Sequence, residues 1–128
     1  MAQLTKDEKA LLNGLFNKYG LSMDDIFRHQ HFTIIRRTGV DKVMARAGID
    51  VSYEVVACDR EHAAVQATAQ NEEGRTVTTF GSASPDNCRS PYYLEMAEKR
   101  AKSRAVLMLC GLYEHGVYSE VEEAHIDR

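Results

Sequence analysis

In the runs Ile49–Val55 and Ala63–Ala69 apolar residues recur at every second position, and in the segments that flank the stretch from Ile49 to Ala83 they recur at every third or fourth. Those two periods belong to strands and helices, so the change of period at Ile49 limits the fold more than any other feature. Ile49, Val51, Tyr53 and Val55 alternate with Asp50, Ser52 and Glu54. After the polar turn Asp59-Arg60-Glu61, the residues Ala63, Val65, Ala67 and Ala69 alternate with Gln66, Thr68 and Gln70. Asn71 to Gly74 makes a second turn, and Thr76 to Ala83 is a third run rich in Thr and Val. Three strands joined by such short turns predict an antiparallel meander, one face on helices and the other toward water.

The flanks read as helices. Thr5 and Glu8 form a capping box, Leu11, Leu12, Leu15, Phe16 and Tyr19 make an apolar face, and Gly20 supplies a left-handed stop. Ser22 is expected to cap a short second helix with Met23, Ile26 and Phe27 on its apolar side. Phe32 to Ile35 is a short strand or an extended connection. Thr38 is expected to cap the next helix, with Asp41 in its first turn, a stripe of Val40, Val43, Met44 and Ala47, and Gly48 as its stop. Past the loop Ser84–Ser90, Pro91 opens the longest helix, which runs to Leu112 and is stopped by Gly111 or Gly116. The expected class is α+β, a three-stranded antiparallel β-meander followed by a long helix (a β-β-β-α core) with N-terminal helices. Residues 1–118 are expected to form one domain, with N-terminal helices in 1–31 and the core in 32–113. Residues 119–128 are read as a mobile acidic tail.

A chain of 128 residues fits one domain, and 44% hydrophobic with 27% charged residues is the balance of a globular protein. No apolar run approaches the roughly 18 residues of a membrane span, and the charged start MAQLTKDEKA lacks the apolar core of a secretory signal. A cytoplasmic protein without membrane partners is therefore expected. Cys58, Cys88 and Cys110 are odd in number and widely spaced, so reduced and mostly buried thiols are expected rather than disulfides or structural zinc. His29 and His31 have no third ligand spaced to help them hold a metal. Phosphate loops, dinucleotide fingerprints and metalloprotease signatures are absent, so neither an enzyme nor a cofactor is expected.

The net charge of −3 is uneven. Residues 114–128 hold five acids and one base, which leaves +1 for the other 113 residues. A basic face can therefore persist under an acidic overall balance. The long helix contains four bases between Lys99 and Arg104. Glu95 and Glu98 stand four residues before Lys99 and Lys102, the favourable order for helical ion pairs. Arg100 and Arg104 have no such acids and lie one turn apart on one face, as a phosphate-backbone site requires. Ala97, Ala101 and Ala105 mark the opposite, closely packing face. Arg36 and Arg37 can extend the basic surface, and Tyr92 and Tyr93 can stack on bases or anchor the helix start. The nucleic-acid-binding candidates are thus Arg100, Arg104, Lys99, Lys102, Arg36 and Arg37. The plain alternative is an amphipathic helix with solvated charges.

The run from Thr79 to Glu123 resembles small phage and prophage proteins related to single-strand annealing recombinases, the Sak-like and Rad-type annealing superfamily. Ala97, Lys99, Arg100, Ala101, Arg104 and Ala105 match its A-x-K-R-A-x-x-R-A helix, and Gly81 and Ser119-Glu120 match the flanks. Val40 to Val56, a helix leading into an alternating strand, also fits. The resemblance implies β-β-β-α domains that assemble side by side and hold single-stranded DNA, or RNA, in a basic groove, in phage DNA recombination or repair. The second expectation is a small phage interaction protein that inhibits or modulates a host or defence protein. Two open sheet edges and the apolar N-terminal helix point to a homo-oligomer.

Overall fold

The change of period at Ile49 marks a real boundary between elements. The computed structural model describes residues 6–29, 32–113 and 116–122. In chain order these form α1 (Lys6–Lys18), β1 (Ile26–His29), β2 (Phe32–Ile35), α2 (Arg37–Ala47), β3 (Asp50–Cys58), β4 (Ala63–Gln70), β5 (Thr76–Ala83), α3 (Tyr93–Leu109), β6 (Val117–Ser119) and a 3₁₀ turn, Glu120–Glu122. The mixed α+β class is as expected, and β3-β4-β5 is the antiparallel meander. A second sheet, β1-β2-β6, was not anticipated.

Register puts Val51, Tyr53 and Val55 on the same face as Ala69, Ala67 and Val65, and these oppose Val77, Thr79 and Gly81. The helix α3 lies on that face across β4 and β5. Ala97, Ala101 and Ala105 are fully buried in the contact. The approach is close enough that a Cβ on Gly81 would stand 2.5 Å from the Ala101 nitrogen and nearer still to the Ala97 carbonyl oxygen. The Thr79 hydroxyl donates to the Ala101 carbonyl at 2.6 Å, fixing the helix along the strand. Glu54, Gln66, Thr68 and Thr78 lie on the other, polar face, where the Thr68 and Thr78 hydroxyls pair at 3.1 Å. The far side of α3 meets α2 and β6, so this helix is the centre of the molecule.

Five expectations need correction. Residues 22–29 do not form a second helix: Ser22 donates its N–H and its hydroxyl to the Asp25 carboxylate, closing a local turn, and β1 follows. Such side-chain bonds compete with a helix, and Met23 is 86% exposed, so the supposed apolar face does not exist. Thr38 does not cap α2, because Arg36 occupies the N-cap and Thr38 lies inside the first turn. Asp41 comes after that turn, which holds no acid. Nor do residues 119–122 belong to a free tail: β6 pairs in parallel with β2, Ser119 is buried, and a 3₁₀ turn follows. The long helix runs from Tyr93 to Leu109, with Pro91 two residues before it. The capping box Thr5–Glu8 and residues 123–128 lie outside what the structure describes. Gly20 and Gly48, with φ of +70° and +63°, terminate their helices as expected. Among the described residues, no helix is long and apolar enough to cross a membrane.

Candidate nucleic-acid interface

The start of α2 is held by two carboxylates distant in sequence. Asp25, 3% exposed, accepts from the Thr38 hydroxyl at 3.0 Å, from Lys42 Nζ at 2.7 Å and from Ser22. Its backbone carbonyl accepts the Arg36 N–H at 2.7 Å. Glu120 Oε1 accepts the Arg37 N–H at 2.8 Å, giving one open donor of the helix an anionic partner. These two acids do what the sequence assigned to Thr38 and Asp41.

The Lys42 ammonium, then the Ser22 N–H and the two hydroxyls, outweigh burial and hold the Asp25 carboxyl down at about 2, below its ordinary 3.8. A depressed folded-state pKa adds stability at pH above the unfolded value, and this is lost as pH falls through 3.8 toward 2. Asp25→Asn should therefore lower the melting temperature at pH 6 and flatten its fall between pH 4 and 2 (about the window set by the two pKa values). Parallel acid limbs for the two proteins would refute this role.

From α2, Arg37, Val40 and Asp41 border a cavity of about 150 Å³. Glu98, Lys99, Lys102 and Ser103 of α3 face them, and Ser119 and Val121 close the cleft. Arg37 and Lys99 are exposed. Lys102 crosses to Asp41 at 3.1 Å, so its partner is on α2 and not the Glu98 one turn before it. Three of the six proposed cations thus gather around one cleft, though it also holds two acids. The fourth, Arg36, is exposed and lays its guanidinium over the Phe27 ring, 4.6 Å from the centroid.

The remaining two arginines are placed otherwise than expected. Arg100 is 3% exposed and donates to the carbonyls of Ser82 at 2.7 Å, Asn87 at 2.6 Å and Val121 at 3.1 Å, and to Asn87 Oδ1 at 2.9 Å. Arg104 is half-buried and donates to the Phe80 carbonyl at 2.7 Å. They do share one face of α3, but it is the face that reaches over β5. Their sequence gave no sign of this because the acceptors are backbone carbonyls of another element.

Tyr92 is 65% exposed, whereas Tyr93 packs against the core. Of the three free cysteines only Cys88 is buried, and Cys58 is exposed. Burial pushes the Cys110 thiol up, away from the thiolate that a nucleophile needs. His31 lies outside the described residues, as does the His29 side chain. Among the described residues no three His, Cys, Asp or Glu side chains converge as metal ligands. A second cavity, about 210 Å³, lies apart from the cations of the cleft and is lined by Lys18, Tyr19, Arg46 and Cys110 among others. Sequence reasoning missed Asp25 and Ser103, and it noted Ser119 and Glu120 only as flanks of the resemblance. Ser22 with Asp25 three residues on was a usable turn signal, but nothing local gave the other three their roles in this site. No protein-family model, curated protein or solved structure matches this chain.

Proposed function

We propose that the chain is a nonenzymatic, self-associating, single-stranded nucleic-acid-binding protein of the annealing type, acting in phage DNA recombination or repair. The observation that carries this reading is the meeting of Arg37, Lys99 and Lys102 around one cleft, from positions far apart in sequence. Arg37 and Lys99 are exposed, so their phosphate contacts require no rearrangement of the core. Arg36, exposed and next to Arg37 in sequence, would extend this surface. Arg100 and Arg104 are scaffold residues here and not contacts to the nucleic acid.

A fluorescence-anisotropy titration with labelled single-stranded DNA, repeated at several salt concentrations, tests the reading. Log affinity should fall with log salt at about −0.7 per neutralised phosphate. Arg37→Ala/Lys99→Ala should weaken binding and make that slope shallower by about one to two contacts, with the melting temperature unchanged. Absence of binding near ~50 mM salt, where phosphate contacts are strong, would remove the reading. The second reading, a small phage protein that inhibits or modulates a host or defence protein, then takes its place. Asp41 and Glu98 beside the cations, and Glu120 on the Arg37 N–H, favour that alternative.

A further inference from the structure

The two edges of the main sheet are treated differently. In an antiparallel ladder each strand turns the N–H and C=O of alternate residues to one neighbour and those of the intervening residues to the other side. The Phe80 and Ser82 carbonyls, bonded by Arg104 and Arg100, are those that β5 turns away from β4. This edge is closed by two guanidiniums. The same alternation, carried through the registers Gly81↔Val65 and Gln66↔Glu54, turns Asp50, Ser52 and Glu54 toward β4. Val51, Tyr53 and Val55 therefore present their backbone groups at the outer edge of β3, which has no strand beside it among the described residues.

The side chains at that edge are apolar. Tyr53 is 42% exposed, Val55 55% and Val56 56%, because α3 lies mainly on β4 and β5 and reaches β3 only slightly. We infer that the β3 edge is the seat of a second copy of this chain, paired antiparallel about a two-fold axis through Tyr53. With β5 closed, strand addition through this sheet has β3 as its open edge, and a partner offering the same edge gives an isologous dimer.

Charge selects the register. With Tyr53 opposite Tyr53 of the second copy, Val51 faces Val55 and Ser52 faces Glu54, so all three outward-facing backbones are used and no acids oppose. Sliding by two residues one way sets Glu54 against Glu54, and the other way sets Asp50 against Glu54. Like charges directly opposite destabilise a sheet. The result is a six-stranded sheet with a guanidinium-capped β5 at each end, which stops growth at two copies. This interface borders the cleft, since Tyr53 lies within electrostatic reach of the cleft acids Glu98 and Asp41, but the oligomeric state is read without any nucleic acid.

Light scattering of the full chain at about 100 µM, suited to the weak class of contact below ~1,200 Å², should report twice the 14.4 kDa of the monomer. Val55→Lys should give the monomer with an unchanged circular dichroism spectrum, whereas Tyr92→Lys, a similarly exposed apolar site elsewhere, should remain dimeric. In a Cys58→Ser background, Tyr53→Cys should form an intermolecular disulfide on mild oxidation, since directly opposed hydrogen-bonded positions have Cα atoms about 5.5 Å apart. Val55→Cys, opposite Val51, should not. A monomeric wild type, a dimeric folded Val55→Lys, or a Val55→Cys that cross-links better than Tyr53→Cys would each overturn the inference.

Discussion

Gly81→Ala is expected to destabilise the protein by about 2–4 kcal/mol, more than any other single methyl group added to the main sheet. The new Cβ meets the Ala97 carbonyl oxygen and the Ala101 nitrogen, both backbone atoms of α3 that cannot rotate aside. Relief requires the helix to lift from β5, which loosens the fully buried Ala97, Ala101 and Ala105 and stretches the Thr79 bond to Ala101. A fall in melting temperature of roughly 10 °C should result. Gly14→Ala is the matched control: nothing lies within 4 Å of its Cβ and the site is inside α1. It should stabilise slightly, by about 0.5–1 kcal/mol. If Gly81→Ala melts within about 2 °C of the wild type, the close helix–strand contact is not what it appears from the geometry.

That contact was legible in outline. The alanines at four-residue spacing on α3 and the glycine in β5 both announce close approach, and the structure sets them against each other. The meander was legible because period two and short turns are local signals. What escaped depends on distant pairing. The strand β6 is three residues long and joins β2 across more than eighty positions, so no periodicity could reveal it. Its acids suggested a solvated tail, yet Glu120 bonds the start of α2 and the Val121 carbonyl receives Arg100. Alternation likewise told which face Tyr53 and Val55 occupy, but not that α3 leaves that part of the face largely uncovered. The site was legible to a similar extent. Lys99 and Arg37 stood out as basic residues, while their meeting in one cleft required the fold.

Arg100 carries the other large effect. Four hydrogen bonds tie its guanidinium to β5, to the following loop and to the C-terminal 3₁₀ turn. Arg100→Ala removes a buried side chain from beneath α3 and strips the charged donor from three part-buried carbonyls. Hydrogen bonds to a charged group are worth about 1.5–3 kcal/mol each, and with water replacing part of several of them the loss should come to about 3–5 kcal/mol. Arg100→Lys should recover only part of this, because an ammonium retains the charge but not the planar fork that reaches Ser82, Asn87 and Val121 together. Arg104→Ala should cost less, about 1 kcal/mol, as its guanidinium is only half-buried and water can reach the Phe80 carbonyl that it bonds. Denaturant unfolding of the three variants gives the order. The same proteins separate scaffold from binding surface: Arg100→Lys, where it remains folded, should bind single-stranded DNA with the wild-type salt slope, while Arg37→Ala/Lys99→Ala loses slope without losing stability. A stable Arg100→Ala with a shallower salt slope would reverse this assignment and return Arg100 to the nucleic acid.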